Sequence, residues 1–195
     1  MDDPLKIVIF ASGNGTNAER IISYFQQMGK AKVSLVLCNN PKANVLNRVS
    51  RHQIAAFSFN RSAFYKNDFV LDLLRLHQPD LIVLAGFLWL FPQMILNAFP
   101  NQVINIHPAL LPDFGGKGMY GDHVHKAVIA AAKEKSGITI HYVTQNYDEG
   151  AIIFQAETKV EKDDTPETLA AKIHELEYEH FPRVIEKILL GKNVE

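Results

Sequence analysis

Two short runs, Ile7-Val8-Ile9-Phe10 and Leu81-Ile82-Val83-Leu84, are apolar at every position rather than at alternate ones. A strand with one wet face alternates polar and apolar residues. A run without a polar side has both faces covered, and the usual cover is helices on either side of a mostly parallel sheet. Similar runs recur between helical patterns. Lys6–Ala11, Lys32–Cys38, Ala55–Phe59 and Leu81–Leu84 read as strands, with Ala18–Met28, Asn44–His52 and Ala63–His77 as the helices between them. After residue 107 the rhythm changes. A glycine-rich loop, Gly115–Gly121, leads to a helix near Val124–Lys135, strands Gly137–Val143 and Ala151–Val160, and a final helix. Thr165 is placed to cap that last helix, Pro166 suits its first turn and Glu167 complements its positive end. Leu169, Ile173, Leu176, Phe181, Ile185 and Ile188 form its expected packing face, and Pro182 is expected to kink or divide it.

The fold class expected from this pattern is α/β: a Rossmann-like, mostly parallel sheet flanked by helices, with mixed strands in the C-terminal half. At 195 residues, 47% hydrophobic and 21% charged, the chain has material for one substantial core, so residues 1–195 are expected to form a single domain whose halves meet near residue 100. Lys+Arg 20 against Asp+Glu 21 gives no global field to attract nucleic acid or an anionic membrane, so any anion site must be local. The single cysteine, Cys38, excludes an internal disulfide and a cysteine-cluster metal site, and its apolar setting predicts a buried thiol. The acidic start Met1-Asp2-Asp3-Pro4 is no secretion signal, and the apolar stretch from Leu81 to Phe91 is too short to span a bilayer. A soluble, cytoplasmic protein is expected.

Three segments carry chemistry. Asn105-Ile106-His107-Pro108 closes a strand begun by Val103-Ile104. Alternate side chains of a strand share a face, so Asn105 and His107 project together, an amide donor beside a titratable imidazole, while Pro108 keeps His107 extended. Polar residues at a strand end also serve simply to satisfy loop backbone. Between the first strand and the first helix lies Ala11-Ser12-Gly13-Asn14-Gly15-Thr16-Asn17. Its glycines let backbone amides approach a phosphate at the helix N-terminus. It has neither the lysine of a Walker motif nor full dinucleotide glycine spacing, so it reads either as a cradle for one phosphate group or as a tight turn with a helix cap. In the loop Thr144-Gln145-Asn146-Tyr147-Asp148-Glu149-Gly150, Asp148 either is solvated, as loop carboxylates mostly are, or reaches His107 to orient the ring and favour imidazolium.

Taken together, Ser12-Gly13-Asn14-Gly15-Thr16-Asn17, Ala85-Gly86-Phe87, Asn105-Ile106-His107-Pro108-Ala109-Leu110-Leu111-Pro112 and Gly137-Ile138-Thr139-Ile140-His141 with Asp148 resemble the folate-dependent phosphoribosylglycinamide formyltransferases, in order along nearly the whole chain. The resemblance implies the formyltransferase fold and passage of a formyl group from 10-formyltetrahydrofolate, as co-substrate, to the amino group of glycinamide ribonucleotide in purine biosynthesis. It implies Asn105, His107 and Asp148 as the catalytic trio, with Asn105 and a protonated His107 stabilising the developing oxyanion. Gly15, Thr16 and Asn17 would hold the substrate phosphate and Glu177 the ribose. The folate would meet Leu88, Trp89, Leu90 and Phe91, Asn105, the loop residues Thr144, Gln145, Asn146, Tyr147 and Asp148, and, at its glutamate tail, Arg61. His141 matches a strand histidine near the catalytic centre.

The chain departs from the pattern at Leu88-Trp89, where family members often carry Met-Arg, and in the longer loop Gly115–Gly121. His123 and His125 lack a third ligand, so no metal is expected. A formyltetrahydrofolate hydrolase, a formyltransferase with another acceptor and a metabolite-binding sensor are the alternatives. The first two would carry extra domains for which this length leaves no room, and an intact trio speaks against the sensor. The sequence assigns no oligomeric state, nucleic-acid partner or membrane partner.

Overall fold

The computed structural model describes residues 3–192 and 194; Met1 and Asp2, part of the start read as no secretion signal, lie outside the described residues. Two compact units follow one another along the chain, Met1–Ile104 and Asn105–Glu195. In the first, β1 (Leu5–Ala11), α1 (Thr16–Met28), β2 (Ala31–Cys38), α2 (Val45–Arg51), β3 (Ala56–Ser58), α3 (Arg61–Tyr65), α4 (Phe69–His77), β4 (Leu81–Leu84) and α5 (Gln93–Ala98) lead to β5 (Val103–His107), which crosses the unit boundary. Strand order is β3-β2-β1-β4-β5, with β1 parallel to β2 and β4, and β2 parallel to β3. The apolar runs of β1 and β4 are buried on both faces, as their sequence predicts. Ile21, Ile22 and Phe25 form the buried side of α1. Each such side chain, fully removed from water, contributes about 1.5–3 kcal/mol. Where β1 and β2 shift register after Ile7, Ser34 is the extra residue, and its hydroxyl donates to the Ile7 carbonyl.

Two helical expectations in this unit are corrected. Ala63–His77 is two helices, because the chain re-starts at Lys66-Asn67-Asp68: the Lys66 N–H closes α3 on Ser62, and the Asn67 side chain accepts from Phe69 N–H to open α4. Asn60 caps α3 by accepting from Ala63 N–H, so the helix begins before Ala63. α5 was not anticipated, since its six residues are too few to show a period.

In the second unit the order is β5-β6-β7, with β6 (Lys135–Tyr142) antiparallel to β7 (Ile152–Lys159), and α6 (Asp122–Ala130) and α7 (Pro166–Leu189) complete it. The expected helix to Lys135 stops five residues early. Ala132 turns left-handed (φ 48°), its N–H reaches Ile129 and that of Lys133 reaches Val128, the closing pattern that glycine normally serves. Alanine there hid the stop. Nor does Pro182 divide α7, which runs unbroken because the turn around it, Phe181, Val184 and Ile185, is buried. Thr165 and Thr168 cap one another's backbone at its start. Leu176 and Ile188 are only half-buried, and Glu177 stands on the buried face instead. Among the described residues no helix is long and apolar enough to cross a membrane.

Gly137 is where β6 and β7 approach without room for a side chain: a Cβ there would lie 2.0 Å from the Ala156 carbonyl oxygen. Backbone cannot yield as a side chain can, so Gly137→Ala should destabilise by at least about 2 kcal/mol in urea unfolding. An unchanged midpoint would contradict the packing described.

Candidate active site

The end of β5 is pinned by a buried threonine. The Thr139 hydroxyl, on β6, donates to the Ala109 carbonyl at 2.6 Å and accepts from Leu111 N–H at 2.9 Å, and Gln155 Nε2 adds a further donor. The turn after His107 is thereby fixed, and His107 is 4% exposed. Its Nε2–H donates to the Phe114 carbonyl at 2.8 Å, while Nδ1 lies 3.6 Å from Asp148 Oδ2.

Asp148 is not a solvated loop carboxylate; its side chain is 11% exposed and its backbone is left-handed, φ 57°. Such a backbone for a non-glycine residue is uncommon and aims the side chain inward. Gly116 N–H donates to Oδ2 at 2.9 Å, and Oδ1 lies 3.6 Å from His141 Nε2. Burial pushes the Asp148 carboxyl up, but the His141 hydrogen bond, the His107 charge and the Gly116 amide together hold it below the ordinary value. His107 shifts down: burial outweighs the upward pull of Asp148 and of the Phe114 carbonyl. Burial thus favours the neutral ring in the free protein, against the pull of Asp148 toward imidazolium.

Asn105 Nδ2, which can only donate, lies 3.2 Å from His141 Nε2, and His141 Nδ1 is 2.9 Å from the Tyr142 carbonyl, which can only accept. The β6–β7 register shifts between Ile140 and His141, a bulge beside the residue it re-aims. Asn105, His107 and Asp148 are thus brought together, with His141 touching two of them.

The other loop residues stay outside this cluster. Asn146 bonds Thr144 and Glu149, and Gln145, Asn146 and Tyr147 are exposed. Glu177 is 5% exposed, and His174 Nδ1 donates to its Oε2 at 2.9 Å, which raises the His174 pKa above its ordinary value. His174 was missed in the sequence, although it stands three residues before Glu177 on one helix face. His125 was weighed only as a metal ligand. It is 3% exposed, burial pulls its pKa down, and its Nδ1 has no hydrogen-bond partner among the described residues, whereas His123 is exposed against Tyr120.

In the first unit, Gly15 takes φ 79° at the start of α1, and a Cβ there would lie 2.4 Å from Val45 Cγ2. Arg48 steadies the loop from behind, binding the Asn14 carbonyl and pairing with Glu19. The loop therefore holds a fixed backbone at a thirteen-residue helix N-terminus, with Thr16 and Asn17 in the first turn. Leu88 N–H donates to the Ser12 hydroxyl at 3.0 Å; Leu88 is 44% exposed, whereas Phe91 is core, edge-on to Phe10. Leu90 is half-buried, and its carbonyl accepts from Tyr65 Oη at 2.8 Å. The Arg61 guanidinium lies 4.6 Å over the Trp89 ring.

The family model described as Formyl transferase matches residues 5–185. The chain belongs to the formyltransferase family. Among curated members, the phosphoribosylglycinamide formyltransferase of Bacillus subtilis (strain 168) is 38% identical over 96% of this chain and 96% of its own. That of Haemophilus influenzae is 33% identical over 96% of this chain and 88% of its own. A solved structure of the Bacillus halodurans enzyme matches with a TM-score of 0.84 at 36% identity, over 94% of this chain and 95% of that one. A glycinamide ribonucleotide transformylase from Symbiobacterium toebii gives a TM-score of 0.88 at 30% identity, over 96% of this chain and 89% of its own. The α/β fold class read from the sequence is the fold of these enzymes.

The buried histidines link this formyltransferase site to stability. His107 and His125 sit below 6.5 when folded, so the unfolded chain binds more protons; their contribution is present above 6.5 and lost as pH falls through the folded values. His174, raised above 6.5, contributes below that pH and loses it as pH rises. The urea midpoint should therefore drop between about pH 7.5 and about pH 5.5, and His107→Asn should remove part of that drop. Equal slopes in both proteins would contradict the assignment.

Proposed function

We propose that the chain transfers a formyl group from 10-formyltetrahydrofolate to the amino group of glycinamide ribonucleotide, giving formylglycinamide ribonucleotide and tetrahydrofolate in de novo purine biosynthesis. The observation that carries this reading is the convergence, in a formyltransferase, of a half-buried amide, a buried imidazole and a half-buried carboxylate at Asn105, His107 and Asp148.

The substrate amine is the nucleophile, and no serine or cysteine is used. As nitrogen attacks the formyl carbon, the carbonyl oxygen takes up negative charge. One Nδ2 hydrogen of Asn105 is committed to His141; the amide has a second, which donates to that oxygen. The neutral His107 accepts the proton the amine must lose. At Nδ1 that proton sits beside Asp148 Oδ2, so the imidazolium forms next to a carboxylate in a dry site, where its charge also favours the oxyanion. Transfer of the proton to the folate nitrogen breaks the C–N bond and releases tetrahydrofolate. The first-unit loop of Gly15, Thr16 and Asn17 serves the phosphate, and Glu177 the ribose. The Leu88–Phe91 segment, Arg61 and the loop from Thr144 to Asp148 serve the folate, Phe91 through its backbone because its ring is core. We read the N-terminal half as the phosphate-binding part and the C-terminal half as the catalytic part of one module, acting in the cytoplasm where the buried Cys38 thiol stays reduced.

The test follows 10-formyltetrahydrofolate with and without glycinamide ribonucleotide and weighs the product. Acceptor-dependent loss with formylated product is expected; donor loss without acceptor would mark a hydrolase, and no loss a binding module. Asn105→Ala should lower kcat by about 10²–10³, the value of one oxyanion donor. Because the base form of His107 is required and its pKa lies below 6.5, kcat/KM should fall only on the acid side of that value. An acid limb above neutral pH would overturn the assignment of His107.

A further inference from the structure

We propose that Trp89 determines donor specificity by holding the Arg61 guanidinium over its indole, so that Arg61 meets the carboxylates of the folate tail from a restrained position; this rests on the formyl-folate reading above. Trp89 cannot swing freely. Tyr65 is stacked beside it at 6.0 Å and 30°, Phe59 meets it edge-on at 6.0 Å, and Phe64 packs at 6.0 Å. Tyr65 is itself tied down by its bond to the Leu90 carbonyl, next in the chain after Trp89. The shelf is therefore an outgrowth of the aromatic core around Phe10. Arg61 lies over it, 4.6 Å from the Trp89 ring and 6.0 Å from that of Tyr65.

A guanidinium restrained over an aromatic ring has N–H donors left for a carboxylate, which it can meet through two parallel hydrogen bonds. Arg61 is exposed, and among the described residues no carboxylate forms an ion pair with it. An unrestrained exposed arginine forfeits much of such a contact to side-chain entropy. The indole lowers that loss by removing rotamers before binding. Trp89 thus acts as a positioning residue and Arg61 as the contact. The chemistry recognised is a carboxylate pair at the end of an extended donor, not the pterin ring.

The experiment compares 10-formyltetrahydrofolate with 10-formyltetrahydropteroate, which lacks the glutamate, as donors for the full chain and its variants. Arg61→Ala should reduce the kcat/KM preference for the tailed donor about tenfold, the worth of one charge-assisted hydrogen bond. Trp89→Ala should reduce it about two- to fivefold, the worth of an exposed cation–π contact, and Trp89→Phe should restore part of the loss. Trp89 is the sole tryptophan, so its emission reports the shelf directly, and Arg61→Ala should shift that emission in the free protein. Equal losses for both donors in Trp89→Ala, or emission unmoved by Arg61→Ala, would overturn the proposal. Calorimetric binding of tetrahydrofolate and tetrahydropteroate separates this from the function itself. If no protein transfers formyl, yet tail-dependent binding weakens in both alanine variants, the shelf stands and the transferase reading fails. Transfer with no tail preference in the wild type sinks the shelf alone.

Discussion

A carboxylate that is nearly out of water requires partners, and the second unit is arranged around supplying them to Asp148. Leaving such a charge buried without its partners costs about 3–5 kcal/mol. Three stretches of chain must be in place to avoid that cost: the end of β5 with His107, the end of β6 with His141, and the glycine-rich loop with the Gly116 amide. The left-handed backbone at Asp148 and the close passage of Gly150, where a Cβ would lie 1.6 Å from the Tyr142 carbonyl oxygen, bend the loop sharply enough to bring the carboxylate in. The two histidines are buried as well, so the cluster packs as one unit.

This mutual dependence explains what could be read from the chain in advance. Strands β1 and β4 were legible because burial on both faces leaves a continuous apolar run, and the pairing of Asn105 with His107 because alternation is a property of any strand. The partnership with Asp148 was only one of two readings of a loop carboxylate, since nothing local records that residue 148 will be held by residue 116. The Arg61–Trp89 stack was invisible for the same reason, as each side chain taken singly has a bland use. The end of α6 was lost because an alanine does what glycine usually does, and the continuity of α7 through Pro182 because packing on both sides of a missing hydrogen bond outweighs its loss. Local rules describe local preferences, and these exceptions lie where tertiary contacts override them.

Glu177 shows the same override with a functional sense. A helix glutamate is solvated by default, yet this one falls between Ile173 and Phe181 on the buried stripe of α7. No packing argument places an ionisable group there. On that apolar face its carboxyl is held by His174. Its field is felt at His107, where it favours the charged ring.

The competing pulls on His107 define what the site can do. Burial disfavours its charged form, and Asp148 favours it. Burial prevails, and the nearby carboxylates of Asp148 and Glu177 lower the cost of charging the ring. Such a balance depends on charges held at set distances, and the buried Thr139 hydroxyl, bonded to Ala109 and Leu111, fixes the turn that holds His107 in place.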